Sequence, residues 1–117
     1  MKHKNKVKPL GRKKAARCSM FRNLSSSLIR EQYVVTTETK GKELRRYFEP
    51  LVTAAKGELT LTKRRKLISK LAHKEDVAAL VEIASENEKR PGGYLRLIKL
   101  PPTIGDNSPT VKVELVK

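Results

Sequence analysis

No acidic residue precedes Glu31, tryptophan is absent, cysteine occurs once, and three tyrosines and two phenylalanines are the only aromatic residues. Each scarcity excludes something. Cys18 alone cannot form a disulfide within the chain, so the fold must rest on packing, and its usage suits a reducing compartment. Few rings leave little surface on which successive bases could stack, which argues against base-by-base reading of a single strand. No apolar run approaches the ~18 residues that a membrane span needs, and no apolar h-region follows the basic start. The expectation is a cytoplasmic protein with no membrane partner. His3 and His73 stand far apart, with no cysteine, histidine or carboxylate cluster at metal-ligand spacing, so no metal is expected.

What the chain has in excess is positive charge, a formal +15 over 117 residues. Such a field attracts polyanions and repels itself. It is unevenly placed: residues 1–30 hold ten Lys/Arg and no Asp/Glu, leaving seventeen against twelve for residues 31–117, or +10 and +5. An organelle transit peptide shares this acid-free, serine-bearing composition, but its removal would discard most of the charge. Residues 1–14 have almost nothing to bury and read as a basic flexible arm that orders against phosphates, with Lys2, His3, Lys4, Lys6, Lys8, Arg12, Lys13 and Lys14 as contacts. Residues 15–117 suffice for a single domain with one core.

Beyond the arm the periodicity turns helical. Ala16, Met20, Leu24 and Leu28 recur every four residues and predict a helix over 13–32, with Arg17 and Arg22 directed outward. YVVTT at 33–37 reads as a short β-branched strand. Thr39 is a plausible N-cap for a helix over 40–56 whose apolar stripe is Leu44, Phe48, Leu51, Val52 and Ala55, with Lys42, Arg45 and Arg46 in other directions. Arg45 has an i+4 carboxylate in Glu49, which leaves Arg46 as the freer cation. Pro50 removes a helical amide and predicts a kink or broken turn. Thr60 or Thr62 caps a third helix bearing Lys63, Arg64, Arg65 and Lys66. A fourth, over 74–88, repeats Val77, Leu80, Val81 and Ala84, with Glu75 and Asp76 in its first turn. Strands follow at 94–100 and 110–116, the latter alternating Val111, Val113 and Leu115 with Lys112 and Glu114, and antiparallel pairing is the simplest closure. Arg96 falls opposite Leu95 and Leu97, so one strand can pack with one face and meet phosphate with the other.

Catalytic chemistry finds no foothold. Ser25, Ser26 and Ser27 lie on a predicted helix without a nucleophile elbow and read as small polar packing. Gly92 and Gly93 leave a helix and enter a strand, the reverse of a dinucleotide loop, and no P-loop motif occurs. The expectation is no enzyme, no cofactor and no small-molecule substrate. Cations without exposed rings favour recognition of folded RNA by backbone and shape. The alternative is a DNA-binding architectural, nucleoid-type protein, whose usual basic hairpin and wedge find no match in Pro101 to Pro109, where Ile104 is the only large apolar residue and no Lys or Arg occurs. The two glycines offer positive φ for the turn or close approach to RNA.

In order along the chain stand LGR at Leu10 to Arg12, MFRNL at Met20 to Leu24, Thr36-Thr37, KGKELRRYFEPLVTAAK from Lys40 to Lys56, KRR at Lys63 to Arg65, RPGGYLRLIKL from Arg90 to Leu100, GDNSP at Gly105 to Pro109 and VELV at Val113 to Val116. This succession resembles the bacterial-type large-subunit ribosomal protein family numbered seventeen over nearly the whole chain; Gly11 and Ala16 depart from it. The resemblance implies an α+β fold ordered α-β-α-α-α-β-β, its helices packed on a small mixed sheet. It also implies a non-catalytic protein of the bacterial large ribosomal subunit, bound to large-subunit ribosomal RNA beside neighbouring ribosomal proteins near the tunnel exit. Through its motifs Asn23, Lys40, Arg90, Gly92, Gly93 and Tyr94 join the candidate RNA contacts.

Overall fold

The computed structural model describes residues 13–116; the candidate contacts Lys2, His3, Lys4, Lys6, Lys8 and Arg12 lie outside them. The elements run α1 (Lys14–Glu31), β1 (Tyr33–Thr37), α2 (Glu38–Ala55), α3 (Leu61–Lys70), α4 (Asp76–Glu86), β2 (Leu95–Leu100) and β3 (Thr110–Leu115), the α+β order anticipated above.

The sheet order is β1-β3-β2, so the last strand is central and the chain closes on itself. Both pairings are antiparallel, with Val34 opposite Val113 and Val113 opposite Leu97; the sheet is therefore not mixed. The connection between β2 and β3 requires this of their pairing. A nine-residue loop returns β2 to β3, whereas a parallel pair needs a crossover of a dozen residues or more. Val111, Val113 and Leu115 are buried against the helices, while Lys112 and Glu114 face the other side, as the alternation predicts.

Helix α2 is the spine. Leu44, Phe48, Leu51, Val52 and Ala55 are all buried, which makes its stripe the centre of the core. Its start is corrected: Thr37 rather than Thr39 is the N-cap, its hydroxyl accepting from the Lys40 amide at 3.4 Å, so that the strand residue itself ends β1 and opens the helix. Pro50 does not interrupt α2, which runs on to Ala55. Pro50 is exposed, so its ring lies on the solvent side of the helix and not in the core. Gly41 lies where α2 crosses the sheet; a Cβ there would come within 2.7 Å of Val111 Cγ2.

The packed face of α1 is turned from the predicted one. Phe21, Ser25, Ser26, Leu28 and Ile29 are buried, Met20 and Leu24 only partly, and Ala16 is exposed. Two serines within the contact face explain the misreading, since their small volume admits close helix approach without hydrophobicity. The Ser26 hydroxyl accepts from the Ala72 amide at 3.1 Å and ties α1 to the α3–α4 connection. Thr60 caps α3 through the Lys63 amide at 3.2 Å. Helix α4 spans less than predicted, and Asp76 at its start is buried with Oδ1 3.2 Å from Arg30 Nε. Among the described residues no helix is long and apolar enough to cross a membrane.

Candidate nucleic-acid interface

Cations gather where α1, α2 and α3 meet. Phe21 of α1 stacks on Tyr47 of α2, with ring centroids 5.5 Å apart and planes inclined by 20°. The Tyr47 hydroxyl in turn donates to the Lys70 carbonyl at 2.7 Å, which pins the end of α3 to α2. Burial raises the Tyr47 pKa, opposed by the nearby Arg22 guanidinium. Around this aromatic pair lie two adjoining hollows of about 270 and 320 Å³, both bordered by Arg46, Tyr47 and Lys70. Arg17 rims the first and Lys66 the second. A third, of about 240 Å³, is bordered by Arg22 and Asn23 beside Leu71 and Ala72. The turn of Tyr47 and the docking of α3 thus bring Arg17, Arg22, Asn23 and Arg46 of the sequence-derived set onto one side of the molecule.

Arg46 is not the free cation expected of it. Its guanidinium stands 3.9 Å from the buried carboxylate of Glu43, one turn earlier. Arg45 meets Glu49 at 3.8 Å as the i,i+4 spacing predicts, and Lys42 meets Glu38 at 3.2 Å. The Lys42 and Arg45 pairs lie at the surface and are weak, so they can reopen towards a stronger anion, whereas the Arg46 pair holds a buried carboxylate. Lys13, Lys14, Arg64 and Arg65 are exposed, and Lys40 is half-buried.

A second group serves the turn into β2. The Lys56 ammonium donates to the Arg90 carbonyl and lies 4.7 Å above the Tyr94 ring. Lys63 donates to the Lys56 carbonyl at 3.2 Å, and Arg90 Nε to Asn87 Oδ1 at 3.1 Å. Glu49 accepts from the Tyr94 amide at 2.7 Å, and the Tyr94 hydroxyl shares a hydrogen bond with Thr53 at 3.1 Å. Desolvation pushes the Tyr94 pKa up, yet Lys56 and Thr53 outweigh it and hold the phenol below its ordinary value. Tyr94 is 1% exposed, so it leaves the set of candidate contacts: its ring is core. Gly93 has φ of +65°, the left-handed conformation that the turn requires. Gly92 has no such φ, and a side chain at either glycine would meet nothing of the protein within 4 Å.

Arg96 belongs to neither group. As the alternation predicts, it faces away from the helices, where Glu114 lies 3.6 Å from it and 3.7 Å from Lys112. Lys112 also covers the Tyr33 ring at 4.8 Å. Opposite in charge is α4: from Glu75 to Glu88 no Lys or Arg occurs, and Glu82 and Glu86 are exposed. Lys66 and Lys70 were absent from the sequence-derived set. Their signal was present, since 63, 66 and 70 follow the i, i+3, i+7 spacing of one helix face.

A family model, Ribosomal protein L17, matches residues 20–116. The chain belongs to the ribosomal protein L17 family, whose members are structural proteins of the large ribosomal subunit.

Proposed function

We propose that this L17 protein binds large-subunit ribosomal RNA chiefly through the α1–α3 side, with phosphates held by Arg17, Arg22, Arg46, Arg64, Lys66 and Lys70. The observation that carries the reading is the convergence of cations from three helices around Tyr47, with the carboxylates of α4 segregated elsewhere. Phosphate contacts fix register and orientation, and A-form RNA is met by its shape and its 2′-hydroxyls. Guanidinium groups suit bidentate phosphate contact, and the ammonium groups of α3 act as point charges. Residues 1–14 act as a basic arm that extends this contact, and 15–117 as one RNA-binding domain. The α4 side, repelled by phosphate, faces away from the RNA. Neighbouring large-subunit proteins at the tunnel exit, and a bacterial cytoplasmic setting, follow from the resemblance of the motifs.

Equilibrium binding to a large-subunit RNA fragment tests this. Each lost phosphate contact lowers the slope of log affinity against log salt by ~0.7–0.9. Arg64→Ala and Lys66→Ala should each show that loss at unchanged thermal midpoint. Slopes equal to the parent's would refute the assignment.

A further inference from the structure

We propose that the cleft between α1, α2 and the end of α3 receives one unstacked guanine base of the bound RNA, a claim that rests on the RNA-binding reading above. A phosphate-binding surface needs cations, but it needs no cavity. Here the cations Arg17, Arg46 and Lys70 border a half-open, largely apolar hollow of about 270 Å³ whose lining includes Cys18, Phe21 and Tyr47. That volume lies just under the range typical of drug-sized ligands, and so suits a single planar ring system. Phe21 covers one side of Tyr47, and the phenol bridges to Lys70, so the aromatic wall is fixed before any ligand arrives. Sequence-specific RNA recognition commonly takes up splayed bases on such walls.

The identity of the base follows from Glu43. Its carboxylate is buried to 6% exposure, lines the cleft, and lies 3.9 Å from the Arg46 guanidinium. A carboxylate at this depth repels a phosphate and accepts hydrogen bonds only. Guanine alone presents two adjacent N–H donors, its ring N1–H and exocyclic N2–H, to one carboxylate. Uracil flanks its single N–H with carbonyls, and adenine and cytosine place a bare ring nitrogen beside their amino groups. Arg17 and Lys70, at the rim, then lie where the phosphates flanking an extruded nucleotide pass.

Three RNA hairpins test the proposal on the full chain: one with a single bulged guanosine, one with a bulged uridine, and one fully paired. Affinity is measured at fixed salt, and the alkylation rate of Cys18, the only cysteine, reports whether the cleft is filled. The bulged-guanosine hairpin should bind at least about tenfold tighter than the paired one, the scale of one base stacked on an aromatic ring. At equal occupancy it alone should protect Cys18. Glu43→Gln should bring the ratio of guanosine-bulge to uridine-bulge affinity down to about one, each compared within that same variant. Should that variant misfold, Cys18 protection in the unaltered protein decides the matter. Equal affinities, or equal protection by all three hairpins, overturn the guanine site and leave phosphate binding standing. Failure of every hairpin to bind overturns both readings.

Discussion

Gly41 is the position at which the closeness of α2 to the sheet can be weighed directly. A methyl group added there would lie 2.7 Å from Val111 Cγ2, 3.2 Å from Val113 Cγ2 and 3.6 Å from Leu97 Cδ2. Two effects oppose each other in Gly41→Ala. Replacing glycine inside a helix gains about 1 kcal/mol of propensity. Overpacking a finished core costs about 1–3 kcal/mol. The cost wins here, because Val111 is buried on the central strand and β-branched side chains are stiff at χ1. The expected outcome is a net loss of up to about 2 kcal/mol, read from urea unfolding followed by circular dichroism, with a fall in Tm of about 4–8 °C per kcal/mol. A double-mutant cycle isolates the cause. Val111→Ala removes the obstructing methyl, so Gly41→Ala made in that background should no longer destabilise, a coupling of at least about 1 kcal/mol. If Gly41→Ala raises the midpoint of the native protein, or if the two changes add without coupling, the close crossing of α2 over β3 is not what selects glycine.

Other outcomes follow from single contacts. Arg30→Ala should cost about 2–4 kcal/mol in chemical denaturation, because it strands the buried Asp76 carboxylate, whose Oδ2 has no hydrogen-bond partner among the described residues. The loss stays below that of a fully buried pair because the Arg30 side chain is 51% exposed. Gly93→Ala should lower the free protein's stability by about 1–2 kcal/mol through its positive φ, whereas Gly92→Ala should stay within about 0.5 kcal/mol. In a phenolate absorbance titration Tyr94→Phe should remove a component below the ordinary tyrosine pKa of 10.0, and Tyr47→Phe one above it. The signs differ accordingly. The depressed Tyr94 pKa adds stability only as pH rises through that folded value, while the raised Tyr47 pKa gives stability that is present below 10.0 and lost above it.

Element types were legible because each rests on local pattern. The stripe of α2 and the alternation of β3 place every named apolar residue in the core. The face of α1 was not legible, because hydrophobic periodicity is blind to Ser25 and Ser26, both small enough to be buried there, with Ser26 also accepting from the Ala72 amide. Tyr94 shows the limit of motif reasoning: RPGGYLR joins Arg96, which reaches solvent, to a ring that closes the core over Thr53 and Lys56. The cleft around Tyr47 could not be read at all. It needs Phe21, Tyr47 and Lys70 brought together from three helices, and nothing in the local sequence of α3 says that its last carbonyl will accept from α2. The i, i+3, i+7 spacing of Lys63, Lys66 and Lys70 could have supplied the two cations that were missed.

The central claim, that the α1–α3 side carries the RNA contact, is tested most directly by sedimentation of ribosomes from cells expressing charge variants. A protein with Arg17, Arg22, Lys66 and Lys70 changed to glutamine should fold, with its circular dichroism unchanged, and yet fail to co-sediment with the large subunit. The matched α4 variant, Glu82→Gln with Glu86→Gln, should co-sediment as the parent does. Retention of the first variant in the large subunit, or loss of the second, would contradict the account.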